Sequence, residues 1–178
     1  MKPFGWLQRY SSERGETMTE AAFTAAVSEN SARLYSLALS YTRCADDAND
    51  ILQNTFIKLW NRQERFEDAV SMQKWLTRVC VNECKSYLRS PFRRRTVSLA
   101  ACQNAYQLDK DADYDLLAAV MRLPQKERVA IHLFYFEGYQ ISEIAATLRT
   151  KEATVKTRLR RARAHLKTML GDDYCDEL

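Results

Sequence analysis

Glycine and proline are scarce in this chain, four and three among 178 residues, and no stretch alternates apolar and polar residues as a strand would. So few breakers, beside abundant Ala, Leu, Arg and Glu, favour helix throughout. The two histidines are scattered. There is no paired-carboxylate motif and no glycine-rich phosphate loop, so a catalytic site is not expected, nor a cofactor or a metal. The five cysteines, Cys44, Cys80, Cys84, Cys102 and Cys175, include no C-x-x-C pair. An odd count without a framework suits a reducing compartment. Cys80 and Cys84, four apart on a predicted helix, share a face and read more readily as buried, apolar-like thiols than as a metal or redox site. No apolar run is long enough to span a membrane and no signal peptide opens the chain, so a cytoplasmic protein is expected. The final Cys-Asp-Glu-Leu is similar to an endoplasmic-reticulum retention tail, which means nothing without a secretory signal.

What is present is enough apolar content, 46%, to bury a core, and an uneven charge distribution. The net charge is only +4, but basic residues gather at Arg89–Arg95 and Arg149–Lys167, acidic ones at Asp46–Asp50, Asp109–Asp115 and Asp172–Glu177. Two separate basic zones suggest two contacts with nucleic acid. Residues 1–17 show no clean period and read as an arm, and Met18 offers an alternative start to Met1. From Thr19 to Arg89 the pattern is helical: Phe23 and Val27, then Leu34, Leu37, Ala38 and Tyr41 on a second segment. Asp46 is a candidate cap for a helix with Ala48, Ile51, Leu52, Thr55, Phe56 and Leu59 inward. A polar loop, residues 61–73, leads to a helix holding Trp75, Leu76, Val79, Cys80, Cys84, Tyr87 and Leu88, bounded at Ser90-Pro91. Residues 91–113 turn from basic to acidic without a period and read as a linker. Residues 114–170 form a second helical unit in which Pro124 starts a helix and Gly138 ends it. Residues 171–178 are an acidic tail. The expected fold is all-α: two small helical domains, 18–90 and 114–170, joined by a flexible linker.

The segment from Gly138 to Leu170 has the pattern of a helix-turn-helix. Ile141, Ile144, Ala145 and Leu148 make a short stripe; Val155, Leu159, Ala162 and Leu166, at i, i+4, i+7 and i+11, make a second. Eight Lys/Arg and a single acid, Glu152, lie between Arg149 and Lys167. Such a helix repels itself unless something anionic lies alongside, and duplex DNA fits. A solvated face, a membrane-surface helix or a calmodulin-target helix would share the charge, but none of them needs the preceding helix, the turn and the paired stripes. Thr150 is the candidate N-cap of the second helix. Arg149 stands at the turn.

Three stretches together resemble the bacterial extracytoplasmic-function (ECF) sigma factors of the sigma-70 family, promoter-specificity subunits of RNA polymerase. DDANDILQNTFIKLW (Asp46–Trp60) and KWLTRVCVNECKSYLR (Lys74–Arg89) are similar to the family's region 2. LPQKERVAIHLFYFEGYQISEIAATLRTKEATVKTRLRRARAHL (Leu123–Leu166) is similar to region 4. The resemblance implies that Asp47, Asp50, Gln53, Asn54 and Lys58 dock on the clamp coiled coil of the largest polymerase subunit, with the flap as a second contact. Asn54 stands where the family commonly has an acid. It implies minus-10 recognition by the loop from Phe66 to Met72, by Asn82 and by Trp75, with Arg78, Lys85 and Arg89 supplying backbone charge; on its own pattern Trp75 reads first as core. It implies minus-35 reading by Lys156, Thr157, Arg160 and Arg161, with Lys151, Arg158 and Arg163 on phosphates. Arg149 departs from the family's glycine. The acidic run Asp109–Asp115 would mimic nucleic acid in the polymerase channels or serve as a plain tether. Promoter DNA, core RNA polymerase and an anti-sigma factor, membrane-bound in many members, are the implied partners. A helix-turn-helix regulator that does not replace a sigma subunit is the alternative.

Overall fold

The computed structural model describes residues 18–62, 66–89 and 112–171, all of it helix and short connections. The arm 1–17, the linker up to residue 111 and the tail beyond Gly171 lie outside the described residues. Three long helices come first: α1 (Glu20–Thr42), α2 (Ala45–Trp60) and α3 (Ala69–Arg89). The two segments expected before Tyr41 are one continuous helix, because Asn30 and Ser31 between the stripes turn their side chains back onto the Ala26 and Val27 carbonyls instead of breaking it. Thr19 caps it, its hydroxyl accepting from the Ala22 N–H at 3.3 Å. Arg43 ends it in the left-handed region, φ 57°, donating its N–H to the Leu39 carbonyl. Asp46 is not the cap of α2. Cys44 holds that position without a side-chain bond, and Asp46 lies in the first turn, where its charge still suits the dipole.

The inner face of α2, Ala48, Ile51, Thr55, Phe56 and Leu59, meets Leu34, Leu37 and Ala38 of α1 and Leu76, Cys80 and Val81 of α3 in a single core. Each large apolar side chain taken fully out of water there contributes roughly 1.5–3 kcal/mol. Cys80 and Cys84 are fully buried within it, and the Cys80 thiol reaches the Leu34 carbonyl at 3.7 Å. Burial pushes the Cys84 thiol well above its ordinary range, so it sits there as a neutral, apolar group.

The second group comprises α4 (Ala112–Arg122), α5 (Gln125–Ile131), α6 (Ile141–Leu148) and α7 (Glu152–Leu170). The end of α5 widens into a π turn, His132–Phe136, closed by the Glu137 N–H on the His132 carbonyl. Gly138 follows at φ +67°, a conformation natural to glycine. Gln140 and Glu143 form a reciprocal capping box on α6. Its other end is a Schellman turn: Arg149 N–H donates to Ala146 and Thr150 N–H to Ala145, with Arg149 at φ 54°. Thr150 is consumed by that turn, so the N-cap of α7 falls to Lys151 instead, without a side-chain bond.

The two groups pack against each other, α1 on α5 and α3 on α6, which sequence patterns did not reveal. Two arginines cross the seam in opposite directions. Arg128, 2% exposed, donates Nε to the Ser40 carbonyl of α1 (2.6 Å) and Nη1 to Leu123 and Met121. Arg43 donates to the same Leu123 carbonyl at 2.8 Å. Elsewhere along the seam Arg33 pairs with Glu137 and donates to the Thr77 hydroxyl at 2.8 Å; at its rim Lys74 pairs with Glu143 at 2.7 Å.

Candidate polymerase and nucleic-acid interface

α2 offers the first surface. Asp50, Gln53 and Asn54 lie exposed on its outer side, as i, i+3 and i+4 spacing requires. Asp47 and Lys58 are tied to the neighbouring helix: Asp47 accepts from the Tyr87 hydroxyl, and Lys58 pairs with Glu83 of α3. Two residues missed in sequence share the exposed side, Ile57 at 56% and Trp60 at 47% exposure. Their signal was available, since neither falls in the inward series 51, 55, 56, 59. Trp60 rests edge-on against Phe23 of α1, ring centroids 5.0 Å apart. An apolar pair beside Asp50 and Gln53 suits a protein partner better than plain solvent.

The second surface follows α3. Phe66 and Trp75 meet edge-to-face with centroids 5.5 Å apart, and the Arg62 guanidinium lies 4.3 Å from the Phe66 ring and 5.0 Å from the Trp75 ring. Trp75 is half-buried; it packs on the core edge yet retains exposed ring. The expected loop from Phe66 to Met72 is shorter than that. Asp68 caps α3, accepting the Ser71 N–H at 2.6 Å, so Ala69–Met72 is already helix. Those Ser71 hydrogen bonds hold the Asp68 carboxyl below the usual range. Trp75, Arg78, Asn82, Lys85 and Arg89 form one stripe along the helix, Arg78 and Arg89 exposed, Asn82 and Lys85 half-buried. Lys85 is engaged: its amine donates to the Leu148 carbonyl of α6 at 3.0 Å. Burial, then Arg149, Arg89 and Arg158, push that amine below the usual lysine range.

The third surface is α7, buried along Val155, Leu159, Ala162 and Leu166. Lys151, Lys156, Arg160 and Arg161 are exposed. Thr157 is half-buried and donates its hydroxyl back to Ala153 at 2.9 Å. Arg163 is steered onto Tyr135, donating to its hydroxyl at 2.8 Å. Arg158 turns from the others toward the seam, lining with Tyr41, Lys85, Leu88 and Leu148 a cleft of about 190 Å³.

Residues 26–96 match the family model for Sigma-70 region 2, and residues 114–166 that for Sigma-70, region 4. The ECF RNA polymerase sigma factor SigM of Mycobacterium tuberculosis is 33% identical over 144 residues, which cover 78% of this chain and 72% of that protein. The chain belongs to the ECF sigma factors of the sigma-70 family. RNA polymerase sigma factor SigV of Bacillus subtilis is 29% identical over 146 residues, 81% of this sigma factor and 88% of that one. Among solved structures, the sigma factor RpoE of Bartonella quintana, in complex with the anti-sigma factor NepR, matches with a TM-score of 0.70 at 27% identity, covering 85% of this chain and 98% of that one. CnrH, in complex with the cytosolic domain of CnrY, matches at 0.61 and 26% identity, covering 85% and 89%. As a member of the family this sigma factor acts with RNA polymerase in promoter recognition and transcription initiation. The reading as a regulator that leaves the sigma subunit in place falls away. Among the described residues no helix is long and apolar enough to cross a membrane.

Proposed function

We propose that this sigma factor docks on the clamp coiled coil of core polymerase through Asp50, Gln53 and Asn54 of α2, flanked by Asp47 and Lys58. Ile57 and Trp60 add an apolar centre. Residues 18–90 then act as the minus-10 unit. Phe66, Trp75 and Asn82 receive an unstacked base of the non-template strand, since opening a duplex needs apolar walls for the extruded base and hydrogen bonds to its edge. Arg78, Lys85 and Arg89 follow the phosphates. Residues 114–170 act as the minus-35 unit: Lys156, Thr157, Arg160 and Arg161 face the major groove, and Lys151, Arg158 and Arg163 fix register on phosphates. The observation that carries this reading is α7, cationic along one side while its other side is fully buried.

The seam explains how two weak contacts become one strong one. With Lys85 on the Leu148 carbonyl and Arg158 in the cleft, members of both DNA surfaces are occupied with protein. Docking on polymerase separates the two units, frees these cations and sets the spacing, so the second DNA contact forms at high effective concentration. An anti-sigma factor, like the NepR bound to RpoE, would hold the packed arrangement. The chain works where polymerase works, in the cytoplasm, and contributes binding energy to strand opening without a catalytic group.

The test is binding of the purified chain to bacterial core polymerase by fluorescence anisotropy, beside an Asp50→Ala/Gln53→Ala variant. Tight binding lost in the variant supports the α2 assignment. Unchanged binding by a folded variant overturns it.

A further inference from the structure

Arg62 has no part in the assignments above, yet its guanidinium lies over both Phe66 and Trp75, the two rings assigned to base capture. Its backbone closes the last turn of α2, the N–H donating to the Leu59 carbonyl at 3.1 Å. Its side chain is half-buried and reaches from the end of α2 across to the start of α3. There the guanidinium lies 4.3 Å from the centre of Phe66 and 5.0 Å from that of Trp75, rings that themselves meet at 65°. Two rings at such an angle make a corner with two walls. The cation over both faces makes a third.

A planar, delocalised and weakly hydrated cation stacks on aromatic faces, and nucleobases stack on guanidinium planes as they do on aromatic rings. We propose that Arg62 is the third wall of the base-capturing pocket, a stacking surface for the extruded base of the non-template strand. This rests on the assignment of Phe66 and Trp75 to base capture. It also joins two surfaces physically, because a residue just past the end of the polymerase-docking helix shapes the pocket.

The experiment uses holoenzyme assembled from the full chain and core polymerase. The probe is the single non-template strand of a promoter selected by that holoenzyme from a random duplex library, with 2-aminopurine at the captured position. Arg62→Ala is expected to weaken strand binding roughly tenfold and to diminish the fluorescence change, in keeping with the loss of one stacked base. The dependence of affinity on salt should not change, since no phosphate contact is lost. Arg62→Gln, neutral but planar, should retain more affinity than Arg62→Lys, charged but not planar. Full activity in Arg62→Lys, with Arg62→Ala reducing the salt slope by about one, would overturn the proposal in favour of a phosphate contact. Unchanged binding in Arg62→Ala, while Phe66→Ala and Trp75→Ala weaken it, removes Arg62 from the pocket and leaves the base-capture reading standing. Unchanged binding in all three brings both down. Thermal unfolding is measured for each variant, and if Arg62→Ala fails to fold, the order of Arg62→Gln and Arg62→Lys decides.

Discussion

Replacing Glu137 by glutamine removes one charge from the seam while preserving the shape of the side chain. The Glu137 side chain is 2% exposed and stands between the Arg33 guanidinium and the His132 imidazole, whose Nε2 lies 3.6 Å from its Oε1. Burial alone would raise its carboxyl, but His132 and Arg33 outweigh it and hold the group below the ordinary value of 4.5. Breaking a buried pair typically costs about 3–5 kcal/mol, because the remaining charge is left uncompensated. Arg33 is 24% exposed and keeps bonds to Thr77 and Asn30, so water and those oxygens recover part of that loss. A destabilisation of about 2 kcal/mol at pH 7 follows.

The pH dependence has a definite sign. A carboxyl depressed in the folded state contributes stability fully above its unfolded value and loses it as pH falls through the folded one. Wild type and Glu137→Gln should therefore differ at pH 7 and converge as pH falls below 4.5. Urea unfolding at a series of pH values reads the difference, and small-angle scattering of the free protein reads the seam. Because Glu137 and Arg33 belong to different units, the variant should also expand. A difference under about 0.5 kcal/mol at pH 7, the range of an ordinary surface substitution, would refute the reasoning, as would a difference that persists unchanged to pH 3.

Arg149→Gly should stabilise the helix-turn-helix by about 1 kcal/mol in thermal unfolding, since glycine occupies φ 54° without the Cβ strain an arginine carries there. The same variant should weaken promoter binding if the charge at Arg149 meets a phosphate. Arg160→Ala, exposed and away from the buried stripe, should leave stability within about 0.5 kcal/mol. Holoenzyme titrated with minus-35 duplexes tells which contact it makes. A base contact costs about 1–3 kcal/mol and relaxes specificity at one position; a phosphate contact weakens every sequence alike and lowers the salt slope by about one.

Helix periodicity located α2, α3, α6 and α7 because each has one buried side, and burial on one side of a helix is what a 3.6-residue period records. Cap positions were less legible. Asp46 and Thr150 have the right chemistry for an N-cap, but the helices start at Ala45 and Glu152, because the backbone of each turn was already committed by Arg43 and Arg149 in the left-handed region. Arg149 itself could be read, since a departure from glycine at a turn raises the question of positive φ before any coordinates are seen. The seam could not. Its polar contacts end on backbone carbonyls, Ser40, Leu123 and Leu148, which every sequence possesses, and its ionic pairs join residues with no pattern to link them.

The placement of the proposed recognition residues follows from that seam. Arg128, Arg43 and Arg33 are spent inside the protein, whereas Lys85, Arg89, Arg149 and Arg158 gather near one another, and burial first, then the neighbouring arginines, lower the Lys85 amine. The hydrogen bonds of the first group hold the second group together against its own charge. Separation of the two units costs the arginine bonds and relieves the cation repulsion, so the balance between packed and separated states is smaller than the number of contacts suggests. A partner that binds only the separated state, as polymerase is proposed to do, then needs only modest differential affinity to shift it. A partner that covers both units has the opposite effect by the same arithmetic, and the residues proposed to read DNA can thus be withheld without any change in their own chemistry.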